Sequence, residues 1–138
     1  MAMKVRQAVL EDASELARLN QQLICDEGHR NVMTLDQLQQ RMVTWLSEEY
    51  VGYLFGEDDE TVGYALSRSE DQHVYLRQFF VVESFRRQGI GRAAFEQLRA
   101  HWGTDRRVRL DVLSGNQHGI AFWRAVGFAE YCITMECD

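Results

Sequence analysis

The stretch F-F-V-V-E-S-F-R-R-Q-G-I-G-R, residues 79–92, decides how this chain folds. Its apolar start predicts the end of a strand, and the periodicity of the residues from Gly89 to Trp102 predicts a helix. A glycine-rich turn at a helix N-terminus presents unpaired backbone N–H groups and the positive end of the helix dipole. Arg86, Arg87 and Arg92 add positive charge. The stretch therefore predicts an anion-binding turn of the kind that suits a pyrophosphate.

Length and composition limit the class of protein. The chain has 138 residues, so we expect a single domain over residues 1–138. Its net charge of -6 argues against a sequence-independent nucleic-acid binder. The absence of a run of about 18 apolar residues argues against a membrane span, and the charged N-terminus is unlike a signal peptide. Cys25, Cys132 and Cys137 lack paired spacing, which indicates free thiols, no zinc site and a cytoplasmic location.

The whole pattern predicts an α/β fold with the element order β-α-α-β-β-β-α-β-α-β and a mostly antiparallel sheet flanked by helices. Two early helices begin at capping pairs, Asp12 with Glu15 and Thr34 with Gln37. Six strands are predicted, at residues 4–9, 51–55, 61–66, 74–82, 108–113 and 128–135.

Other interpretations of the glycine turn remain open. The run G-I-G-R-A-A, residues 89–94, also fits the dinucleotide fingerprint G-x-G-x-x-A, and Asp111 follows about 20 residues later. Against an oxidoreductase, E-S-F-R-R-Q separates the strand from the first glycine, and roughly 70 residues precede the unit. A further interpretation is that the glycines form a tight turn without a ligand and that the arginines are solvated.

The residues resemble the GNAT superfamily of acetyl-CoA-dependent N-acetyltransferases. The family signature R/Q-x-x-G-x-G/A is matched by Arg86, Gly89 and Gly91. A second signature, an asparagine about eleven residues before a Gly-Phe pair, is matched by Asn116 and residues 127–128. The two motifs occur in the expected order of strand and helix, so together they are more specific than either alone.

The resemblance implies acetyl-CoA as co-substrate. The loop amides would bind its pyrophosphate, and the preceding strand would pair with its pantetheine arm like an added strand. Asn116 would contact the same arm. The implied cofactor contacts are Phe79, Phe80, Val81, Arg86, Arg87, Gln88, Gly89, Ile90, Gly91, Arg92, Asn116 and Trp123.

The chain departs from the family at the acid that protonates the leaving thiolate. That acid is usually a tyrosine seven residues after the asparagine, and Trp123 stands there instead. An indole N–H donates a hydrogen bond but is no proton acid. A thiol pKa near 8.5 makes a free thiolate a tolerable leaving group, and Tyr131 is a candidate substitute.

The acceptor side is expected from two segments. Glu27 and His29 lie between the first two helices, a region that lines the acceptor site in the family, and Glu27 is our candidate base. On the long strand, alternation places Tyr75, Arg77 and Phe79 on one face, and the first two are candidate substrate contacts. The spacing supports no metal site.

These residues predict transfer of acetyl from acetyl-CoA to a primary amine of a small molecule or peptide N-terminus, by direct attack. The acidic net charge mildly favours a cationic acceptor. The alternative, which Trp123 supports, is a catalytically silent CoA-binding module with a regulatory or partner-binding role. The resemblance also implies a homodimer formed through the last strands, and we expect no nucleic acid or membrane as partner.

Overall fold

The computed structural model describes residues 3–28, 30–57 and 59–138. Their strands are β1 (Lys4–Gln7), β2 (Tyr50–Glu57), β3 (Glu60–Ser69), β4 (His73–Val81) and β5 (Arg107–Arg109). Their helices are α1 (Ala13–Glu27), α2 (Leu35–Ser47), α3 (Ile90–Trp102) and α4 (Gln117–Ala125). Within these ranges, no helix has the length and apolar character needed to cross a membrane.

The five strands form one sheet in the order β1-β2-β3-β4-β5. The first four run antiparallel to their neighbours, and β5 lies parallel to β4. Helices α1 and α2 cover one face of the sheet, where Leu16, Met42 and Tyr64 are buried. Helices α3 and α4 cover the other face, where Phe55 and Leu98 are buried. The predicted α/β fold is confirmed.

Strand β4 contains one extra residue. Leu66 of β3 pairs with Gln78, but the next residue, Ser67, pairs with Leu76, so Arg77 stands opposite no partner. This is the pattern of a β-bulge, in which two residues of one strand oppose one of the other.

The bulge changes which side chains share a face. Tyr75 lies on the side of α1 and α2, and the guanidinium of Arg68 stacks on its ring at 5.3 Å. Phe79 lies on the opposite side, with the Trp123 ring of α4 at 5.1 Å. The expectation that Tyr75, Arg77 and Phe79 share a face is wrong, because a period of two does not continue past an inserted residue.

Strands β4 and β5 separate soon after they meet. Their last pair is Tyr75 with Arg109. Beyond it, no strand within the described part of the chain pairs with the outer edge of β4 over residues 76–81. The predicted strand at 108–113 is therefore shorter than expected, and a wedge opens between β4 and the segment that follows β5.

The predicted last strand at 128–135 is wrong. Residues 129–138 have no regular structure and are exposed. Tyr131, Ile133 and Met135 are 75%, 83% and 87% exposed. Their alternation is typical of a strand, but a strand is held by backbone hydrogen bonds to a neighbour, and no described segment pairs with this one.

One of the two predicted capping pairs is confirmed. Thr34 Oγ1 accepts a hydrogen bond from the Gln37 N–H at 3.2 Å, and Gln37 Oε1 accepts from the Thr34 N–H at 2.8 Å. The Asp12 carboxylate does not cap α1. It accepts instead from the Val9 N–H at 2.8 Å and from both terminal nitrogens of Arg6 at 3.0 Å, and so closes the turn before the helix.

Asp12→Asn is expected to lower the free energy of unfolding at pH 7 by about 1 kcal/mol, because it removes the charge of this pair while solvent screens the exposed Arg6. The hydrogen bond from Arg6 lowers the pKa of Asp12 below 3.8. A lowered pKa stabilises the fold above the pKa of the unfolded chain, and this contribution is lost as the pH falls through the folded value. Urea denaturation from pH 7 to pH 2 should show a gap between variant and wild type that shrinks with acidity. An unchanged gap would contradict this assignment.

Candidate active site

The wedge between β4 and β5 exposes backbone hydrogen-bonding groups. The Val82 N–H donates to the Val62 carbonyl at 2.8 Å, and Val81 lies opposite Gly63. Because the direction of the N–H groups alternates along a strand, the N–H and C=O of Val81 face away from β3 and into the wedge. The Arg86 Nε donates to this C=O at 2.8 Å. An extended ligand along this edge would bind as an added strand does.

The glycine turn leaves an open backbone surface at the start of α3. Gly89 has a φ of 78°, and a Cβ placed there would meet nothing within 4 Å. Arg87 also has a positive φ, 65°, which costs a residue with a side chain roughly 1–2 kcal/mol. None of the described side chains caps α3, so its first N–H groups remain available to solvent or a ligand. This surface suits a phosphate.

The second glycine of the turn has a packing role. A Cβ at Gly91 would lie 3.1 Å from Cε1 of Phe122 on α4. Gly91 therefore lets the first turn of α3 and helix α4 approach each other beside the wedge.

The three arginines of the turn make different contacts. Arg86 forms an ion pair with Asp26 of α1. Arg92 donates to the Ala125 carbonyl at the end of α4 at 3.1 Å. Arg87 is exposed and forms no hydrogen bond or ion pair with the described residues. Two of the arginines thus connect elements around the wedge, and the third presents its guanidinium to solvent.

The structure brings Asn116 and Glu27 together, 89 residues apart in the chain. The Asn116 Oδ1 accepts from the Gly119 N–H at 2.9 Å and so caps α4. Its Nδ2 lies 3.3 Å from the Oε2 of Glu27, which is the last residue of α1 rather than part of a loop. A predicted cofactor contact and the candidate base therefore meet where the end of α1 lies beside the start of α4.

Asp111 lies beside the apex of the wedge, although its sequence context suggests no role in an acetyltransferase. Its Oδ2 accepts from the Tyr75 hydroxyl at 2.8 Å, just beyond the last pair between β4 and β5. Burial, together with this hydrogen bond, raises the pKa of Tyr75 to about 12, so the phenol remains a donor at neutral pH. The available signal was an acid within the apolar strand predicted at 108–113.

Arg77 points from the bulge towards α2. Its Nη1 donates to the Tyr50 hydroxyl at 3.3 Å, and its guanidinium carbon lies 4.8 Å from the centroid of the Trp45 ring. Tyr75 and Arg77 thus lie at the apex of the wedge, on the side of α1 and α2.

Comparison with known families gives one match. The family model described as acetyltransferase (GNAT) family matches residues 15–128. This chain belongs to the GNAT acetyltransferase family. Comparison with curated protein sequences finds no match.

Solved structures share the GNAT fold. A possible acetyltransferase from Clostridium difficile 630 aligns with a TM-score of 0.82 and 19% identity over 100% of this chain and 97% of that one. AAC(6')-Iy in complex with the bisubstrate analog CoA-S-monomethyl-acetylneamine gives 0.80 and 19% over 100% and 98%. The aminoglycoside acetyltransferase meta-AAC0020 from an uncultured soil metagenomic sample, in complex with sisomicin, gives 0.71 and 17% over 99% and 95%. At these identities the likeness shows the fold alone.

The residue that departs from the GNAT pattern is half-buried and packs against the core. Trp123 packs against Phe79 at 5.1 Å and Phe122 at 4.8 Å between ring centroids. Tyr131, the candidate substitute acid, is on an exposed segment, where its hydroxyl accepts from Arg109 of β5 at 3.4 Å. The structure thus provides a phenol beside β5, and no phenol at the position of Trp123.

Two further expectations concern this GNAT chain. The candidate substrate contact His29 lies outside the described residues. Among residues 3–28, 30–57 and 59–138, no group of three or more His, Cys, Asp or Glu residues could hold a metal ion.

A cleft of about 290 Å³ lies on the side of α1, lined by Gln21, Gln22, Cys25, Asp26, Phe80 and Glu83.

Proposed function

We propose that this chain is an N-acetyltransferase that moves an acetyl group from acetyl-CoA to a primary amine of a small molecule or a peptide N-terminus. The observation that carries the proposal is the unpaired edge of β4, which runs from the glycine turn to the apex of the wedge. Along this edge, a long, extended ligand with an anionic end would meet three sites in order. These are the phosphate site at the glycine turn, the free edge of the strand and the polar groups at the apex. The complexes of AAC(6')-Iy and meta-AAC0020 support this choice of substrates by likeness of fold.

The pyrophosphate end is assigned to the turn. The open backbone at Gly89 and the start of α3 would donate N–H groups, and Arg87 would add a guanidinium. Arg86 and Arg92 act by holding α1 and α4 against the turn. Phe80 and Ile90 are 5% exposed each, so they would contribute backbone only.

The arm is assigned to the strand edge. The backbone of residues 79–81 would pair with its amides, and Asn116 Nδ2 would donate to it from α4. The remaining predicted contacts stay part of the proposal: Phe79, Gln88, Gly91 and Trp123.

The chain's own residues would prepare the amine at the apex. Acetyl-CoA supplies the acetyl group as an activated thioester. Glu27 is the proposed proton acceptor for the incoming ammonium, whose usual pKa lies near 10. A backbone N–H near Val81 would donate to the acetyl carbonyl oxygen, and Tyr131 is the proposed substitute for the missing leaving-group acid.

One observation favours a second function. Because Trp123 packs against the core at the position where the resemblance implies a tyrosine acid, the chain also fits a CoA-binding module without acetyl transfer. The two functions share the cofactor site and differ in whether an amine is acetylated.

Titration with acetyl-CoA, followed by an amine screen, tests the proposal. We expect micromolar affinity, no affinity for NAD, and acetylated amine detected by mass spectrometry. Mass detection is preferable to a thiol reagent, because Cys25, Cys132 and Cys137 are all exposed free thiols. Binding without any acetylated amine would favour the silent module, and no binding would overturn both functions.

The proposal extends to a homodimer in the cytoplasm. The unpaired C-terminal segment exposes Tyr131, Ile133 and Met135, which a second copy would cover. The exposed free thiols suit a reducing compartment. Light scattering should give a molar mass near twice 16.1 kDa, and a monomer mass would remove the dimer.

A further inference from the structure

Two arginines that the proposed mechanism does not use lie together beside the apex of the wedge. The guanidinium carbons of Arg41, on α2, and Arg77, in the β4 bulge, lie 4.4 Å and 4.8 Å from the centroid of the Trp45 ring. We call Arg41 and Arg77 the arginine pair. The shared ring fixes both charges on the same side of the apex as Tyr75.

The arginine pair has no counter-ion among the described residues. Neither guanidinium forms an ion pair there, whereas the nearby Arg68 pairs with both Glu49 and Glu70. Arg41 is half-buried, and its burial and the charge of Arg77 both lower its pKa. Two like charges in a partly desolvated place are unfavourable. An anion bound between them would reduce their repulsion and offset the cost of desolvating them.

The same place has a hydrogen-bond donor that lacks an acceptor. The Nη2 of Arg41 donates to Oδ1 of Asn20 on α1 at 3.0 Å, and Asn20 is 1% exposed. The buried Nε of Arg41 has no hydrogen-bond partner in the described part of the protein. Each buried donor without a partner costs about 1–3 kcal/mol. The cluster therefore offers a donor and positive charge to an acceptor.

A negative charge lies on the other side of the apex. Tyr75 connects the two charges, because its hydroxyl donates to Asp111 at 2.8 Å and Arg77 lies two residues further along β4, on the same side of the sheet. A ligand that matches this arrangement is a zwitterion, with its ammonium beside Asp111 and its anion beside the arginine pair.

We propose that the acceptor is an amine that also carries a carboxylate, an amino acid or short peptide, and that Arg41 and Arg77 bind this carboxylate. The inference rests on the proposed function, because it takes the amine at the apex as the acetylated group. Planar guanidinium groups bind carboxylates through two parallel hydrogen bonds. The acidic net charge of the whole chain favours cationic acceptors. An acceptor bound at the apex, however, interacts with the charges found there, and these are of both signs.

The test compares acceptors that differ only in the carboxylate: free amino acids, their amides and the corresponding decarboxylated amines. We expect Arg41→Gln and Arg77→Gln to raise KM for the acids about 10- to 100-fold and to leave kcat and the affinity for acetyl-CoA unchanged. Arg77→Lys, which keeps the charge, should recover part of the loss. Arg18→Gln is the control, because Arg18 is an exposed arginine of α1 that already pairs with Glu15.

Calorimetric binding of the same compounds in the presence of CoA separates this site from the proposed function. Acids that bind more tightly than their amides support the carboxylate site, provided that Arg77→Gln abolishes the difference. This support holds even if no amine is acetylated, whereas a lack of acetylation would overturn the transferase. Equal acetylation of acids, amides and decarboxylated amines would overturn the carboxylate site and leave the transferase intact.

Discussion

Gly63→Ala is expected to destabilise the protein by at least about 3 kcal/mol, enough to unfold much of a marginally stable chain. A Cβ at Gly63 would lie 2.2 Å from the Phe80 carbonyl oxygen and 2.9 Å from Cδ2 of Phe55. The carbonyl belongs to the backbone of the paired strand, so no change of rotamer relieves the clash. Strands β3 and β4 would have to separate at the centre of the sheet.

The loss should reach the candidate site, because Gly63 pairs with Val81, whose N–H and C=O face the wedge. Urea denaturation followed by tryptophan fluorescence measures the stability, and titration with acetyl-CoA measures the site. Gly115→Ala is the matched control, because a Cβ there meets nothing within 4 Å, and we expect a change below about 0.5 kcal/mol. A Gly63→Ala protein as stable as the wild type would contradict the described register of β3 and β4.

Gly89→Asp is expected to weaken acetyl-CoA binding at least about 100-fold with little change in stability. Aspartate tolerates the left-handed conformation of Gly89 and is a favourable residue before a helix. Its carboxylate would stand beside the proposed pyrophosphate. At an effective dielectric of about 20, two unit charges about 4 Å apart repel by about 4 kcal/mol, more than a 100-fold change requires.

Gly89→Asn is the control for this charge, because asparagine has nearly the same shape and also tolerates the left-handed region. We expect it to keep acetyl-CoA affinity within about tenfold of the wild type. Calorimetry gives both affinities, and thermal melts show whether the two variants are equally folded. Equal affinities for the Asp and Asn variants would mean that the pyrophosphate does not bind at this turn.

The order of elements was predictable from the sequence because it depends on local signals. Apolar periodicity marked the helices, and Thr34 with Gln37 marked the start of α2. The bulge at Arg77 leaves no such signal, since H-V-Y-L-R-Q-F-F-V reads as an uninterrupted strand until its pairing with β3 is known. The prediction for the last segment failed for the opposite reason. Tyr131, Ile133 and Met135 have the local pattern of a strand, but none of the described strands pairs with them.

The residues of the candidate site also fall into those that local sequence predicts and those that it does not. The turn at Gly89 is continuous in sequence and could be found by its motif. The arginine pair could not, because Arg41 and Arg77 meet only through the packing of α2 against the sheet. Asp111 drew notice only through its distance from a dinucleotide-like motif, whereas its position depends on where β4 and β5 separate.

The unpaired edge of β4 also affects the handling of the protein. An open strand edge is a template for other chains, so the ligand-free protein should be prone to precipitate by edge-to-edge association when concentrated. A ligand that pairs with residues 76–81 would block this route. Adding such a ligand throughout purification should therefore reduce precipitation by covering the strand edge, in addition to any gain in folding stability.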